Sequence, residues 1–225
     1  MRICVNRDYL DGTNFFSNLL RRLLAHWCLK AVGVMFFTSI FFIVYFYLLK
    51  NLFFLTTQMP LTYLDQLIGF QPTFLYVYLS LWVYVSLVPS LLKTKRELFY
   101  YGGYVGAMCF MGILIYVIFP TTIPDIAVDW ARYPEFIFLK SVDASGNAFP
   151  SMHVASAFFS FFWLMQLLKQ MNASKLFLWI NGLWCFGIIY STMAIKQHVF
   201  LDALGGALLG GFFAYVTIRD YRKRF

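Results

Sequence analysis

The chain has 225 residues, of which 61% are hydrophobic and only 12% are charged. A soluble domain is nearer to half apolar and a quarter charged, so this composition excludes an ordinary soluble protein and predicts an integral membrane protein. The net charge of +8 would by itself also suit a nucleic-acid-binding protein, but the distribution of the basic residues points to a different cause.

Apolar runs of membrane-spanning length follow one another along the chain. Residues 1–30 precede them and include a stretch from Phe15 to Leu24 that is typical of a short interfacial helix. The remaining chain accommodates six spans of about 20 residues. We expect these spans at residues 31–49, 74–92, 98–119, 150–168, 176–191 and 198–218, followed by a basic tail at residues 219–225. The predicted fold is therefore an all-α membrane protein, a six-transmembrane helical bundle formed by residues 31–218.

Six spans place both termini on one side of the membrane, and the basic residues indicate which side this is. All but four of the 18 lysines and arginines fall on the side of the termini; the exceptions are Lys50, Arg132, Lys140 and Lys196. By the positive-inside rule the termini are cytoplasmic. The positive charge thus reflects topology, and we expect no nucleic-acid partner. The expected location is a cell membrane, such as a bacterial inner membrane.

Two short polar motifs lie where the predicted spans four and six begin. They are Pro150-Ser151-Met152-His153 and Lys196-Gln197-His198-Val199-Phe200-Leu201-Asp202. Ionisable residues at the hydrocarbon boundary are rare and usually functional. Because the spans alternate in direction, both motifs meet on the extracytoplasmic face, together with the polar connection at residues 120–147. We expect the active site on that face.

The residue types in the two motifs suit the transfer of a phosphoryl group. His198 and Asp202 are four residues apart and would share one face of a helix. The carboxylate can then accept a hydrogen bond from one imidazole nitrogen and leave the other free to attack. His153 is a second imidazole and can act as a general acid. In isolation, however, the His198–Asp202 pair could also be a buried hydrogen bond between helices.

Groups that could hold a phosphate accompany these residues. Lys196, with Lys140 or Arg132, can neutralise the anion, and the Ser151 hydroxyl can donate to it. The N-termini of spans four and six point toward the same place with their free N–H groups and positive dipole ends. Taken alone, Lys196 could simply extend its ammonium to the interface.

Metal and cofactor sites are not indicated by the sequence. The four cysteines, Cys4, Cys28, Cys109 and Cys185, show no CxxC or Cys/His spacing. Those inside apolar runs are typical of small buried hydrophobic residues. We expect no metal, no cofactor and no disulfide framework.

The two motifs resemble the second and third signatures of the phosphatidic acid phosphatase type 2 superfamily. The matching stretches are Asn147-Ala-Phe-Pro-Ser-Met-His153-Val-Ala and Ser191-Thr-Met-Ala-Ile-Lys-Gln-His198-Val-Phe-Leu-Asp202, and the resemblance covers about residues 100–216. It implies that His198 is the nucleophile that forms a phosphohistidine, that Asp202 orients it, and that His153 protonates the leaving alkoxide. Ser151 and nearby backbone amides would hold the phosphate. The family needs no metal and commonly has six spans.

Two features depart from the pattern of that family. Its first signature, a lysine followed by an Arg-Pro pair, is missing, and Pro120-Thr-Thr-Ile-Pro124-Asp125 stands in the expected place. Thr192 stands where the third signature has an arginine. The Lys-Gln-His triplet that begins at Lys196 is similar to the version in the branch related to inositol phosphotransferases. We therefore expect Lys196, Lys140 and Arg132 to provide the missing positive charge.

These features together predict a metal-independent membrane lipid phosphatase. Its substrate would be a lipid phosphomonoester or diphosphate, whose tail enters between spans while the headgroup meets His198. Two alternatives stay open: a lipid phosphotransferase that passes the phosphoryl headgroup to another alcohol, and a catalytically weak lipid-binding scaffold. The oligomeric state is unknown from the sequence.

Overall fold

The computed structural model describes residues 15–51, 53–125, 128–137, 139 and 147–225. Long helices dominate this part of the chain. In chain order they and the shorter ones are α1 (Phe15–Leu24), α2 (Trp27–Lys50), α3 (Tyr63–Leu67), α4 (Leu75–Leu79), α5 (Leu81–Leu91), α6 (Lys95–Ile118), α7 (Met152–Gln170), α8 (Lys175–Ala194) and α9 (Phe200–Arg224). Two short strands, β1 (Thr57–Gln58) and β2 (Thr121–Thr122), and 3-10 turns at Pro72–Phe74, Trp130–Arg132 and Pro134–Phe136 lie in the connections.

Five helical segments of the described chain are long and apolar enough to cross a membrane. They are Trp27–Leu48, Pro72–Leu91, Lys95–Ile118, Lys175–Ala194 and Phe200–Arg224. The prediction of a helical membrane protein is therefore confirmed. The remaining predicted span corresponds to α7, a helix of 19 residues that is not among these five. The count of six spans stays a prediction.

Helix α7 differs from the other long helices because protein surrounds it. It packs against α5, α8 and α9, and nine of its residues are buried, among them Phe159, Trp163 and Leu167. In the most apolar 18-residue stretch of α2, by contrast, no residue is buried inside the protein. A helix enclosed by other helices can carry polar residues that a lipid-facing helix cannot, which explains why α7 is the less apolar of the two.

The long helices run alternately between two ends of the bundle. At the motif end, defined here by residues 57–71, 120–125, 147–153 and 194–202, the Thr57 amide donates to the Pro120 carbonyl at 3.0 Å. At the terminal end, defined by residues 15–30, 90–97, 170–175 and 217–225, the Tyr221 hydroxyl donates to a carboxylate oxygen of Glu97 at 2.7 Å. The two sequence motifs therefore lie together, as predicted, and the chain terminus lies at the opposite end.

Glycines allow α9 to lie directly against the backbone of α7. A methyl group at Gly206 would stand 2.3 Å from the Ser151 carbonyl oxygen, and one at Gly210 would stand 2.2 Å from the Ala155 carbonyl oxygen. No side chain fits at these distances. At the same place the Ser151 amide donates to the Asp202 carbonyl at 3.0 Å. The glycines of α9 thus serve helix packing, and this packing joins the two motifs.

A small parallel sheet fixes the chain where it enters α7. Strands β1 and β2 pair with each other, and Thr121 forms a further bridge with Asn147. The Thr121 hydroxyl accepts a hydrogen bond from the Phe149 amide at 2.7 Å, and the Tyr116 hydroxyl of α6 donates to the Pro150 carbonyl at 2.8 Å. The start of α7 is thus held by the end of α6.

The last helix differs from the predicted sixth span at both ends. It begins at Phe200 rather than at His198, because Val199 is extended and its amide is bonded by the Asp202 side chain. A helix started in this way excludes the residues before its cap. At the other end α9 continues to Arg224, through most of the predicted basic tail. The helix predicted at residues 15–24 is present as α1, and its interfacial position stays a prediction.

Candidate active site

His198 lies in the turn between α8 and α9, and buried backbone bonds shape this turn. The amides of Gln197 and His198 both donate to the Thr192 carbonyl, at 2.9 and 3.1 Å. Thr192 itself is fully buried, and its hydroxyl donates to the Ile189 carbonyl at 2.8 Å. Lys196 adopts a left-handed conformation with φ of 59°. Thr192, which stands in place of the arginine of the resembled signature, therefore supports the turn through its backbone.

The structure brings His198 and Asp202 together, although His198 is outside the helix. Nδ1 of His198 lies 3.7 Å from Oδ2 of Asp202, which is longer than a hydrogen bond. The Asp202 side chain is fully buried, and the same Oδ2 accepts from the Val199 amide at 3.0 Å. One carboxylate thus both starts α9 and faces the imidazole. Catalytic hydrogen bonds are often long without substrate and shorten when it binds.

Unpartnered polar atoms are concentrated around this pair. Among the described residues, four buried side-chain nitrogen or oxygen atoms have no hydrogen-bond partner: Nε2 of Gln197, Nδ1 of His198, Oδ1 of Asp202, and the indole nitrogen of Trp163 in the core. A buried polar group left unpaired costs about 1–3 kcal/mol, so each such group in a folded protein requires an explanation. Three of the four lie within residues 197–202, which suggests that a further polar group binds there.

His153, the second residue of α7, is held against α4 and α5. Its ring stacks on the Tyr78 ring with centroids 3.8 Å apart and planes 7° apart, and the Trp82 ring meets its edge. Nε2 of His153 lies 3.2 Å from the Tyr78 carbonyl oxygen. Because a carbonyl only accepts, the proton must be on Nε2, which leaves Nδ1 as the nitrogen that can exchange a proton with a substrate.

The helix N-termini are occupied by groups of the protein itself. Ser151 caps α7, and its hydroxyl oxygen accepts from the Val154 amide at 3.3 Å. At the start of α9 the Phe200 amide donates to Oδ1 of Asp65 at 2.7 Å, beside the amide of Val199 that Asp202 holds. These three amides therefore already have acceptors within the protein, and the expectation that the helix N-termini face an anion stays a prediction. The hydroxyl hydrogen of Ser151 remains able to donate to a phosphate.

The Lys196 ammonium lies against residues 65–68, at the end of α3. Its Nζ donates to the Asp65 carbonyl at 3.3 Å and to the Ile68 carbonyl. Burial lowers the pKa of Lys196 below the ordinary lysine value, and the nearby Asp65 charge partly opposes this effect. An ammonium has three N–H donors, so two carbonyls leave one donor for another acceptor.

The structure does not place the other two predicted cations, Arg132 and Lys140, beside the histidines. Arg132 lies at the surface with 79% of its side chain exposed, and its Nε is paired with Asp129 at 2.9 Å. A solvent-exposed ion pair of this kind holds a side chain only weakly. Lys140 lies outside the described residues.

Sequence reasoning missed two residues that contact the histidine-bearing elements. Tyr78 supports His153 from the segment that was predicted only as span two. Asp65 reaches the start of α9 from the connection between the first two spans. A signal for Asp65 was present, because it is the single charged residue in residues 51–71 and follows Thr62 at the spacing of a capping box.

A metal site is not suggested by the described geometry. No three His, Cys, Asp or Glu side chains of the described residues gather in a way that could hold a metal ion. The expectation of a reaction without a metal stays a prediction.

Comparison with known proteins identifies the family. No curated protein and no solved structure matches the chain. A model of the PAP2 superfamily matches residues 97–225, which is more than half of the chain and includes both histidine motifs. Members of this superfamily are generally phosphatases and phosphotransferases, which supports an enzyme that acts on phosphate esters. The chain therefore belongs to the PAP2 superfamily, and the earlier resemblance to phosphatidic acid phosphatases of type 2 is confirmed.

Proposed function

We propose that this protein is a metal-independent membrane lipid phosphatase that works through a phosphohistidine on His198. One observation carries the proposal: the unpartnered polar atoms of residues 197–202 lie beside the start of α7, whose Ser151 amide bonds the Asp202 carbonyl. A phosphate oxygen can accept a hydrogen bond from Nε2 of Gln197, while the Nδ1 proton of His198 is the donor available to the Asp202 carboxylate. Family membership supports the reaction class.

The first half of the reaction transfers the phosphoryl group to the protein. With its Nδ1 proton directed at Asp202, His198 has a lone pair on Nε2, which attacks the phosphorus. The P–N bond forms as the bond from phosphorus to the lipid oxygen breaks. His153, protonated on Nδ1, gives that proton to the leaving alkoxide. Lys196 and the Ser151 hydroxyl stabilise the negative charge of the equatorial oxygens.

The second half regenerates the enzyme. His153, now neutral, takes a proton from a water molecule, whose oxygen attacks the phosphorus and breaks the P–N bond. Inorganic phosphate leaves, and both histidines return to their starting states. If a lipid or sugar alcohol takes the place of water, the same intermediate yields a transferred product. The Lys-Gln-His triplet at residues 196–198 is similar to that of a transferase branch. The experiment below therefore also measures transfer to an alcohol.

The lipid character of the substrate is supported by the position of the site. Residues 197–202 lie at the end of helices that are apolar enough to cross a membrane, so a headgroup could meet His198 while its tail stays between helices. The bias of basic residues toward the terminal end supports cytoplasmic termini and an extracytoplasmic site.

The test uses purified full-length protein in detergent and a panel of lipid phosphates and diphosphates. Free phosphate and transferred phosphoryl products are both measured, with acceptor alcohols present and absent. The matched blank is the double variant His153→Ala/His198→Ala, purified in parallel. Phosphate release above the blank supports the phosphatase, and product formed only with an alcohol supports the transferase instead. Activity equal to the blank across the panel contradicts both and favours the lipid-binding scaffold.

The orientation is tested separately. Single cysteines at Asn147 and Gln170, in a background without the four native cysteines, are exposed to an impermeant thiol reagent in intact cells. We expect labelling at position 147, at the motif end, and protection at position 170, at the terminal end. The reverse pattern would place the site on the cytoplasmic side.

A further inference from the structure

Residues 61–71, called here the strap, connect two candidate spans at the motif end. The strap follows the span that ends at Leu48 and directly precedes the span that begins at Pro72. It includes α3 and carries a single charged residue, Asp65, whose side chain is turned inward and buried. Most of its exposed large side chains are apolar or aromatic, namely Leu61, Tyr63, Leu64 and Leu67, and Gln66 is exposed among them.

The inner side of the strap holds the turn that carries His198 from both directions. After His198, Oδ1 of Asp65 accepts from the Phe200 amide at 2.7 Å. Before His198, the Lys196 ammonium donates to the carbonyls of Asp65 and Ile68. The Asp65 carboxylate is itself fixed, because its Oδ2 accepts from the amide and the hydroxyl of Thr62 at 2.8 and 2.7 Å.

The other end of the strap is attached to the same region. The Gln71 amide donates to the Ala194 carbonyl, the last residue of α8, at 2.9 Å. Phe70 packs its ring edge-on against Trp130, Tyr133 and Phe136. The strap therefore has one side engaged in polar bonds and aromatic packing, and another side that is exposed, uncharged and mainly apolar.

We propose that the apolar side of the strap lies in the bilayer surface, so that membrane contact and the His198 turn are linked through Asp65. The occupant of the exposed face is the lipid bilayer, because the strap leads directly into the candidate span that begins at Pro72. An exposed apolar face of this kind, without outward charge, matches the interfacial region of a membrane. Asp65 is then a positioning residue for His198. The positioning role rests on the proposed function, whereas the membrane contact does not.

The membrane contact is tested by fluorescence in the full-length protein. Single cysteines at Leu64 and Leu67, in the cysteine-free background, carry an NBD label, and the protein is reconstituted into phosphatidylcholine vesicles that contain spin-labelled lipid. We expect blue-shifted emission and strong quenching at both positions, similar to a label at the lipid-facing Val32 of α2. A label at Glu135, an exposed charged position, is the aqueous control. Emission at 64 and 67 that matches position 135 overturns the proposal.

The link to His198 is tested without reliance on activity. We expect amide hydrogen exchange at residues 198–200 to be at least about tenfold faster in Asp65→Ala than in the wild type, because the Phe200 amide loses its acceptor. Asp65→Asn keeps one carbonyl oxygen and should retain part of the protection. Asp220→Ala, which removes a carboxylate at the terminal end, is the matched control and should not change these amides. Unchanged exchange in Asp65→Ala contradicts the link.

Kinetics then separates positioning from a general loss of structure. Asp65→Ala should lower kcat about tenfold with little change in KM. The loss should be equal for good and poor leaving groups, because it acts on the nucleophile, and Asp65→Asn should recover part of it. A loss confined to poor leaving groups, or a loss that Asp65→Asn does not relieve, would contradict this role. If the wild type has no activity, the proposed function fails, but the fluorescence and exchange results still decide the strap.

Discussion

Both ends of the bundle bury charged side chains, but the two ends differ in how many of the polar atoms on these side chains have hydrogen-bond partners. At the terminal end Glu97 accepts from two backbone amides, at 2.7 and 2.9 Å, and from the Tyr221 hydroxyl. Lys30 donates to the carbonyls of Arg22 and Ser90, at 2.6 and 2.8 Å. At the motif end His198 and Asp202 stand 3.7 Å apart, and each retains a buried atom without a partner.

We interpret this difference as one between buried charge that supports the fold and buried charge that the proposed substrate would complete. A satisfied buried network rigidifies its surroundings, and the terminal network joins α1, α2, α5, α6 and α9 in this way. A network with missing partners instead lowers stability, and a protein retains it where a substrate completes it. Removing a residue from the motif end should therefore affect turnover, whereas removal from the terminal end should affect stability.

The largest effect is expected at His198. His198→Ala should lower kcat by at least about a thousandfold, because it removes the nucleophile. Trapping with labelled substrate should show acid-labile phosphate on His198 in the wild type and none in the variant. His26→Asn is the matched control, since His26 lies at the terminal end with φ of 54°, where asparagine is tolerated. Phosphate on another residue, or a His198→Ala protein with full turnover, would show the mechanism to be wrong.

The next effect concerns His153 and depends on the substrate. His153→Ala should lower the rate of phosphoenzyme formation from alkyl phosphates by about a hundredfold to ten-thousandfold, because the leaving alkoxides need a proton donor. An aryl phosphate with an acidic phenol needs little protonation and should react nearly as fast as with the wild type. The measurement is single-turnover phosphoenzyme formation for both substrates. Equal losses for the two would mean that His153 supports the site in another way.

Lys196 should contribute less than either histidine. Lys196→Met should lose about tenfold in kcat/KM, or about 1.4 kcal/mol of transition-state stabilisation, and Lys196→Arg should retain part of it. Burial lowers the pKa of Lys196, so activity that needs its positive charge should fall on the alkaline side below the ordinary lysine pKa. Arginine stays protonated there, and Lys196→Arg should move this fall to higher pH.

The Lys196 prediction has two controls: the folding of the Lys196→Met variant and the effect of replacing the two other predicted cations. Well-folded Lys196→Met protein with wild-type kinetics would remove it from phosphate binding. Attention would then shift to Lys140 and Arg132, each replaced by Met in turn.

The smallest effect on turnover is expected at the terminal end. Glu97→Gln should lower the free energy of unfolding by about 1–3 kcal/mol, because amides and a hydroxyl lose a charged acceptor. Turnover per folded molecule should change by less than about twofold. Thermal unfolding in detergent and activity after correction for folded protein measure the two quantities. A tenfold fall in turnover at unchanged stability would contradict the division between the two ends.

The helices of this fold were accessible from the sequence, because membrane crossing imposes a length and an apolar composition on each. Observed spans begin and end within a few residues of charged or proline boundaries such as Lys50, Lys95 and Pro120. The helix α1 was predicted with its observed bounds. Only α7 departs in composition, because its surroundings are protein rather than lipid.

The details of the site were less accessible, for reasons of geometry. The spacing of His198 and Asp202 suits one face of a helix, but Asp202 also stands three residues after Val199, which is the spacing of a helix cap. The structure uses the second arrangement. The partners of Lys196 are carbonyls about 130 residues earlier in the chain, and a local sequence pattern cannot predict contacts at this separation.

The close approach of α9 to α7 sets limits on which sequences the protein can accept. A library of random substitutions, selected for enzyme function, should return only glycine at positions 206 and 210, where a methyl group would meet carbonyl oxygens. At the exposed positions 204, 208 and 212 of the same helix, many apolar residues should survive. Read in order, α9 would then alternate between invariant and permissive sites at helical spacing. The pattern of accepted substitutions would then identify the face of α9 that contacts α7 from sequence data alone.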